Sequence, residues 1–233
     1  MINRIASSAP QQSRIREICK QHNISSLMHF TRLENLPGIM VHGIISRLEL
    51  NRREIPMVIN DVSRFDQHLD AVCLSISFPN YQMFYRYRSN SNDVWVILEI
   101  DAQVLDLDCA FCPTNAASST VKNMPINQRK GSDALERLFD DYTDPKIKVP
   151  RNSLNIPCHY PTNPQAEVLA FERIPQNFIR AVYVEKRKQL SDVGHALPLD
   201  KRKLLSVNAF FFGARQDYIV WKAAKETVNR RNE

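Results

Sequence analysis

Glycine is scarce in this sequence, with five among 233 residues. They are too few and too scattered to build the glycine-rich phosphate loops of Walker or Rossmann type, so a dinucleotide would have to be held by other means. Long apolar runs are missing as well. None approaches the roughly 20 residues that cross a bilayer, which argues against a membrane partner. The opening stretch, MINRIASSAPQQSR, lacks the apolar core of a secretory signal. The five cysteines (Cys19, Cys73, Cys109, Cys112, Cys158) form no even framework, and a reducing, cytoplasmic setting is the expectation. Cys109 and Cys112 have the spacing of half a zinc site, but structural zinc takes four ligands, usually as two close pairs. Two ordinary buried thiols and no metal are expected.

What the chain does have is enough apolar content for a core, 43%, over a length that suits one domain spanning residues 1–233. The excess of 31 Lys and Arg over 25 Asp and Glu gives +6, which favours an anionic partner without identifying it. Residues 1–13 read as a loose arm. A helix is expected over 13–22, then a short strand over 26–31, and a helix over 32–42 with Gly43 as its stop. Residues 46–70 read as an ordered loop with a short strand near 57–59. Strands follow over 71–78, with Ser75 and Ser77 on one face, and over 94–100, the clearest in the chain. Residues 101–132 read as loop. A helix over 132–142 starts from Ser132 as N-cap. Five prolines between 143 and 164 exclude helix and central strand there. Strands over 166–171 and 178–184, a buried anchor at 210–212 and a closing helix over 219–228 complete a mixed α/β domain.

The stretch from Pro157 to Ile174 organises the rest. A proline- and asparagine-rich loop leads into an apolar strand with Glu167 at its mouth, two residues after Gln165. An acidic residue opening an apolar strand either points to solvent or is used. His29 and Thr31 flank Phe30 on the first strand. His29 is suited to donating a hydrogen bond to a ribose hydroxyl, with Thr31 in support, although a histidine satisfied inside a core reads the same way. Ser75 and Ser77 are placed to brace a ribose or an amide. Tyr81, Phe84, Tyr85 and Tyr87 are candidates for stacking on a ring, and Arg86 and Arg88 for meeting phosphate; a half-buried amphipathic segment is the plain alternative.

Together these pieces resemble one family. His29-Phe-Thr31 followed by Glu34-Asn-Leu-Pro37, and a prolyl loop ending in Gln165-Ala-Glu167, look like the DarT DNA ADP-ribosyltransferase toxins over about residues 25–185. The resemblance implies an α+β ADP-ribosyltransferase fold, with a split, twisted pair of sheets around an NAD cleft. It implies that His29 and Asn35 hold NAD, with Phe30, Thr31 and Leu36 beside them, and that Glu167 is catalytic. It implies an assisting arginine after the first helix, for which Arg64 is chosen and Arg47, Arg52 and Arg53 stay open. Residues 145–166 would form the substrate-recognition loop, with Gln165, His159 and Tyr160 toward the acceptor. In the pierisin-like relatives a glutamine two residues before the glutamate accompanies guanine modification, and a side-chain amide both donates and accepts as a base edge requires. Guanine is therefore favoured over thymine. A cognate antitoxin with ADP-ribosyl hydrolase activity, of macrodomain or similar type, is the implied partner beside single-stranded DNA. An RNA or protein acceptor, or a nucleic-acid-binding module without catalysis, are the competing readings.

Overall fold

The computed structural model describes residues 9–59, 65–89 and 92–231. At its centre lies strand β3 (Trp95–Asp101), where period-two geometry sends neighbouring side chains to opposite faces. Val96, Leu98 and Ile100 enter one core, and Trp95 and Ile97 enter another. Strand β1 (Ser26–Arg32) lies antiparallel along all of β3, from Ser26 opposite Asp101 to Arg32 opposite Trp95. On its other side β1 meets β2 (Val72–Ile76) over two pairs, Leu27 with Ile76 and Met28 with Ser75. With β4 (Cys109–Cys112), β7 (Glu167–Ala170), β8 (Ile179–Val184) and β9 (Leu205–Val207), these strands form a sheet in the order β4-β7-β2-β1-β3-β8-β9. Every pairing is antiparallel apart from β8 with β9. The expected split appears as that narrow two-pair join between β1 and β2 within a continuous sheet. A separate hairpin joins β5 (Tyr142–Thr143) to β6 (Lys148–Val149).

The larger core packs the sheet against helices α1 (Ala9–Gln21) and α2 (Leu36–His42) and the short α6 (Ser132–Glu136) and α7 (Leu190–His195). On the other face α4 (Tyr81–Arg88) presses Phe84 onto Met28, Trp95 and Ile97. Each such side chain contributes about 1.5–3 kcal/mol by leaving water, so both sides of β1 are firmly held. Helix α3 (Arg47–Arg52) follows α2, and α5 (Ser119–Lys122) follows β4. The last helix, α8 (Tyr218–Arg231), buries Trp221 against Val149 and Leu154. No described helix is long and apolar enough to cross a membrane.

Several local expectations are corrected. Residues 9–13 belong to α1 rather than to a loose arm, while 1–8 lie outside the described residues. The 32–42 stretch is the end of β1, a 3-10 turn over Leu33–Asn35, and then α2. Region 46–70 contains α3, capped by the Ser46 hydroxyl, and 57–59 is irregular chain rather than a strand. The YQMFYRYR segment is a helix because Asn80 caps it, its side chain accepting from the Met83 N–H. The 101–132 loop contains β4, whose four fully buried residues show no alternation to reveal a strand. Gly131, not Ser132, occupies the N-cap of α6. Phe210 is 57% exposed, so the 210–212 anchor is only partly buried.

Candidate active site

Beyond Met28 the hydrogen-bonded ladder between β1 and β2 ends, and a cavity of about 220 Å³ opens beside it. The next residue of β1 bridges the gap with its side chain, His29 Nδ1 lying 3.0 Å from the Cys73 carbonyl oxygen. A ring nitrogen facing a carbonyl must carry its proton. That bond fixes the orientation of the His29 ring beside the cavity. His29, Phe30, Thr31 and Ser75 all line the cavity, as does Asn35.

Asn35 closes one wall. Its amide accepts from the Val58 N–H at 2.7 Å and donates to the Val58 carbonyl at 2.9 Å and to the Thr31 hydroxyl at 3.0 Å. One side chain therefore pairs with the 55–59 backbone as a neighbouring strand would and ties it to β1. Gly43 makes the turn behind this wall possible. It sits at φ +74°, and a Cβ there would lie 2.3 Å from the Ile174 carbonyl oxygen.

Opposite stands Glu167, the first residue of β7, 5% exposed and facing the cavity. Its Oε2 accepts from the Ala116 N–H at 2.8 Å, and its Oε1 from Asn80 Nδ2 at 3.3 Å and Asn115 Nδ2 at 3.2 Å. Both asparagines are fixed at their other end. Asn80 Oδ1 accepts from the Met83 N–H at 3.2 Å, and Asn115 Oδ1 from the Ala117 N–H at 2.9 Å. Asn80 reaches Glu167 because the chain reverses at Ser77, a buried non-glycine residue at φ +60°. Such backbone costs roughly 1–3 kcal/mol and persists where surrounding contacts fix it. Those contacts are the bond from the Ser77 N–H to Ser26 and that from the Asn80 N–H to the Ser75 hydroxyl. Ser75 is thereby engaged with the turn, and Ser77 lies past the end of β2 rather than on a shared strand face.

Helical spacing decides which of the aromatic residues arrive. Asn80, Met83 and Tyr87, three and four apart, line the cavity. Phe84 instead stacks on Phe30 in the core at 1% exposure, and Tyr85 is 72% exposed. Tyr81 is half-buried beside Gln82, and Leu36 is fully buried at the start of α2. None of these four lines the cavity. Arg88 pairs with Glu185 and the Phe212 carbonyl, and Arg86 lies over the Tyr87 ring, so neither faces the cavity. Gln165 sits half-buried at the end of the loop before Glu167, outside the lining. Tyr160 is buried, and His159 packs edge-on against it with its pKa pushed down by burial. Arg64 lies outside the described residues. Arg47, left open with Arg52 and Arg53, is the arginine that lines the cavity among the described residues.

Sequence reasoning missed Asn80, Asn115 and the Ala116 N–H. Asn80 could have been found as a helix cap three residues before Met83. Asn115 and Ala116 sit in an irregular loop where no periodicity singles them out. Cys109 and Cys112 are buried in β4, and burial raises both thiols, Cys112 to about 12. Among the described residues no group of three or more His, Cys, Asp and Glu is placed to hold a metal ion.

Residues 28–212 match the family model described as "ssDNA thymidine ADP-ribosyltransferase, DarT". No curated protein sequence matches. Among solved structures, Thermosipho africanus DarTG in complex with ADP-ribose is similar at TM-score 0.54 and 17% identity, over 80% of this chain. This chain spans only 50% of that one. Thermus sp. 2.9 DarT is similar at TM-score 0.51 both in complex with NAD+ (16% identity) and with ADP-ribosylated single-stranded DNA (14%). These matches cover 81% and 82% of this chain and 97% of the Thermus chain. At such identities the likeness lies in the fold.

Proposed function

The chain belongs to the DarT family of single-stranded-DNA ADP-ribosyltransferases, and from that premise we propose that NAD enters the cleft beside β1 and that Glu167 drives transfer of its ADP-ribose to a DNA base. The observation that carries this reading is Glu167 itself, a carboxylate lining the cavity and held by three oriented N–H donors. Three donors suit the ionised form, which has only acceptors.

The bond to be broken joins the ribose to nicotinamide and is already weakened by the pyridinium charge. Nicotinamide departs with the bonding pair, a base nitrogen supplies the new pair, and the ribose carries positive charge between the two events. Glu167 stabilises that charge and accepts a hydrogen bond from the ribose 2′-hydroxyl, as carboxylates do in glycosyl transfer. It is also available to take the proton released by the attacking nitrogen. His29, oriented by the Cys73 carbonyl, hydrogen-bonds a ribose hydroxyl, with Thr31 beside it, and Asn35 keeps the 55–59 wall in place. Met83 and Tyr87 offer the apolar surface for nicotinamide. Among the described arginines Arg47, which lines the cavity, is the candidate for the assisting role; Arg52 and Arg53 pair with Glu49 instead.

The acceptor edge needs a donor beside an acceptor, to match the amide of Gln165. Thymine (N3–H beside O4) and guanine (N1–H beside O6) both present one. The family's description names thymidine, so thymine ranks first and guanine second. Base adducts block copying, which supports a toxin role in the cytoplasm and an antitoxin partner that removes ADP-ribose. Single-stranded oligonucleotides containing only thymine or only guanine as the reactive base, incubated with NAD and read by mass, test the acceptor. Gain on the thymine strand alone is expected. Gain on the guanine strand alone reverses the ranking, and NAD consumption with neither strand modified moves the acceptor to RNA or protein.

A further inference from the structure

The loop before Glu167 contains Pro157, Pro161 and Pro164, which have no N–H and cannot join a ladder, so its carbonyl groups need donors from elsewhere. Two arginines supply them. Arg151 Nη1 donates to the Tyr160 carbonyl at 2.8 Å and the Thr162 hydroxyl at 3.0 Å, and its Nη2 to the Cys158 carbonyl at 3.0 Å and the Pro157 carbonyl at 3.4 Å. Arg215, 2% exposed, donates to the carbonyls of Pro161 and Thr162, both at 2.8 Å. Its other edge is held by Asp217 through two bonds of 2.7 and 2.5 Å, and Asp217 is held in turn by the Trp221 indole at 2.9 Å. Bonds from the Gln165 N–H to Asn163 Oδ1 and from the Ala166 N–H to the Asn163 carbonyl carry the order on toward Glu167. Arg215 and Asp217 lie beyond residue 212, where the family match ends. One of the two arginines that fix this loop therefore comes from outside the matched stretch.

We propose that Arg215, backed by Asp217, is a positioning residue for the acceptor base: it fixes loop 157–165 so that Gln165 presents its amide beside Glu167. This rests on the proposed transfer to DNA. The partner arginine on the other side, Arg151, shares the task. Neither touches the NAD cleft, so NAD handling and acceptor handling separate when either is altered.

The test uses the full chain with Arg215→Gln and Asp217→Asn together, which removes both buried charges at once and leaves no lone ion. Arg151→Gln, at the loop's more open side, is the second variant. The expected result is a fall of at least about tenfold in kcat/KM for the oligonucleotide, with kcat/KM for NAD hydrolysis without DNA held within about twofold. Hydrogen exchange should quicken in the peptide covering 157–166 and stay unchanged in β1 and β3. Parallel falls in the two constants, or no change in either, overturn the proposal. If the double variant does not fold, Arg151→Gln alone decides by the same split. If the unaltered chain modifies no DNA, the functional reading fails, while unchanged exchange in 157–166 counts separately against the staple.

Discussion

Glu167→Gln separates a carboxylate that is used from one that is merely tolerated. The replacement keeps volume and shape but puts an NH2 where an oxygen accepted. Three donors face it: the Ala116 N–H on one oxygen, Asn80 Nδ2 and Asn115 Nδ2 on the other. The asparagines cannot turn over to present an oxygen without losing their bonds from Met83 and Ala117. One buried donor then faces another, at about 1–3 kcal/mol. For a chain of this size that is a drop of about 2–4 °C in thermal midpoint per kcal/mol. Transfer suffers more, because the charge that meets the developing positive ribose is gone. Loss of one such electrostatic contact is worth about 10²–10³ in rate, and this is the central one. The assay pairs thermal melting with single-turnover transfer from NAD to an oligonucleotide. Transfer kept within about tenfold refutes the assignment. An unchanged midpoint refutes the claim that all three donors are fixed.

The other expectations rest on separate contacts. Asn35→Ala leaves the Val58 backbone without its partner, so the NAD KM should rise by tenfold or thereabouts while the midpoint falls by about 1–2 kcal/mol equivalent; steady-state kinetics check it, and an unchanged KM contradicts the wall's role. Gly43→Ala forces a Cβ to 2.3 Å from the Ile174 carbonyl oxygen at a positive φ, and denaturant melts should show a loss of more than about 2 kcal/mol. Burial pushes the pKa of both His22 and His159 down. The unfolded chain therefore binds protons before the folded one as pH drops through about 6.5. Stability should fall between about pH 7.5 and about pH 5.5, and His159→Asn should flatten that slope in pH-dependent melts. Alkylation mapped by mass should label exposed Cys158 first and leave Cys109 and Cys112, buried and shifted upward, intact until the chain unfolds.

Strands β1, β3 and β8 were legible as apolar runs of strand length rich in β-branched and aromatic residues, and Glu167 stood out as an acid opening an apolar strand. Strand β4 was not, since CAFC is buried on both faces and carries no period. The aromatic segment misled for a different reason. Residues one apart on a helix point about 100° apart, so Tyr81, Phe84 and Tyr85 turned away while Met83 and Tyr87 faced inward. Asn80 and Asn115 reach Glu167 through long-range folding, across 87 and 52 residues of chain. Arg215 likewise resembled any basic residue near the end, and only tertiary structure shows its 54-residue reach to Pro161. The charge chemistry of the site was thus visible in one residue, and the groups that orient it were not.

The most direct measurement is the mass of a mixed-sequence single-stranded oligonucleotide after incubation with NAD and either the unaltered chain or its Glu167→Ala variant. The account predicts the gain of one ADP-ribose with the first and none with the second. No gain and no released nicotinamide with the unaltered chain, or equal gain with both, would contradict it.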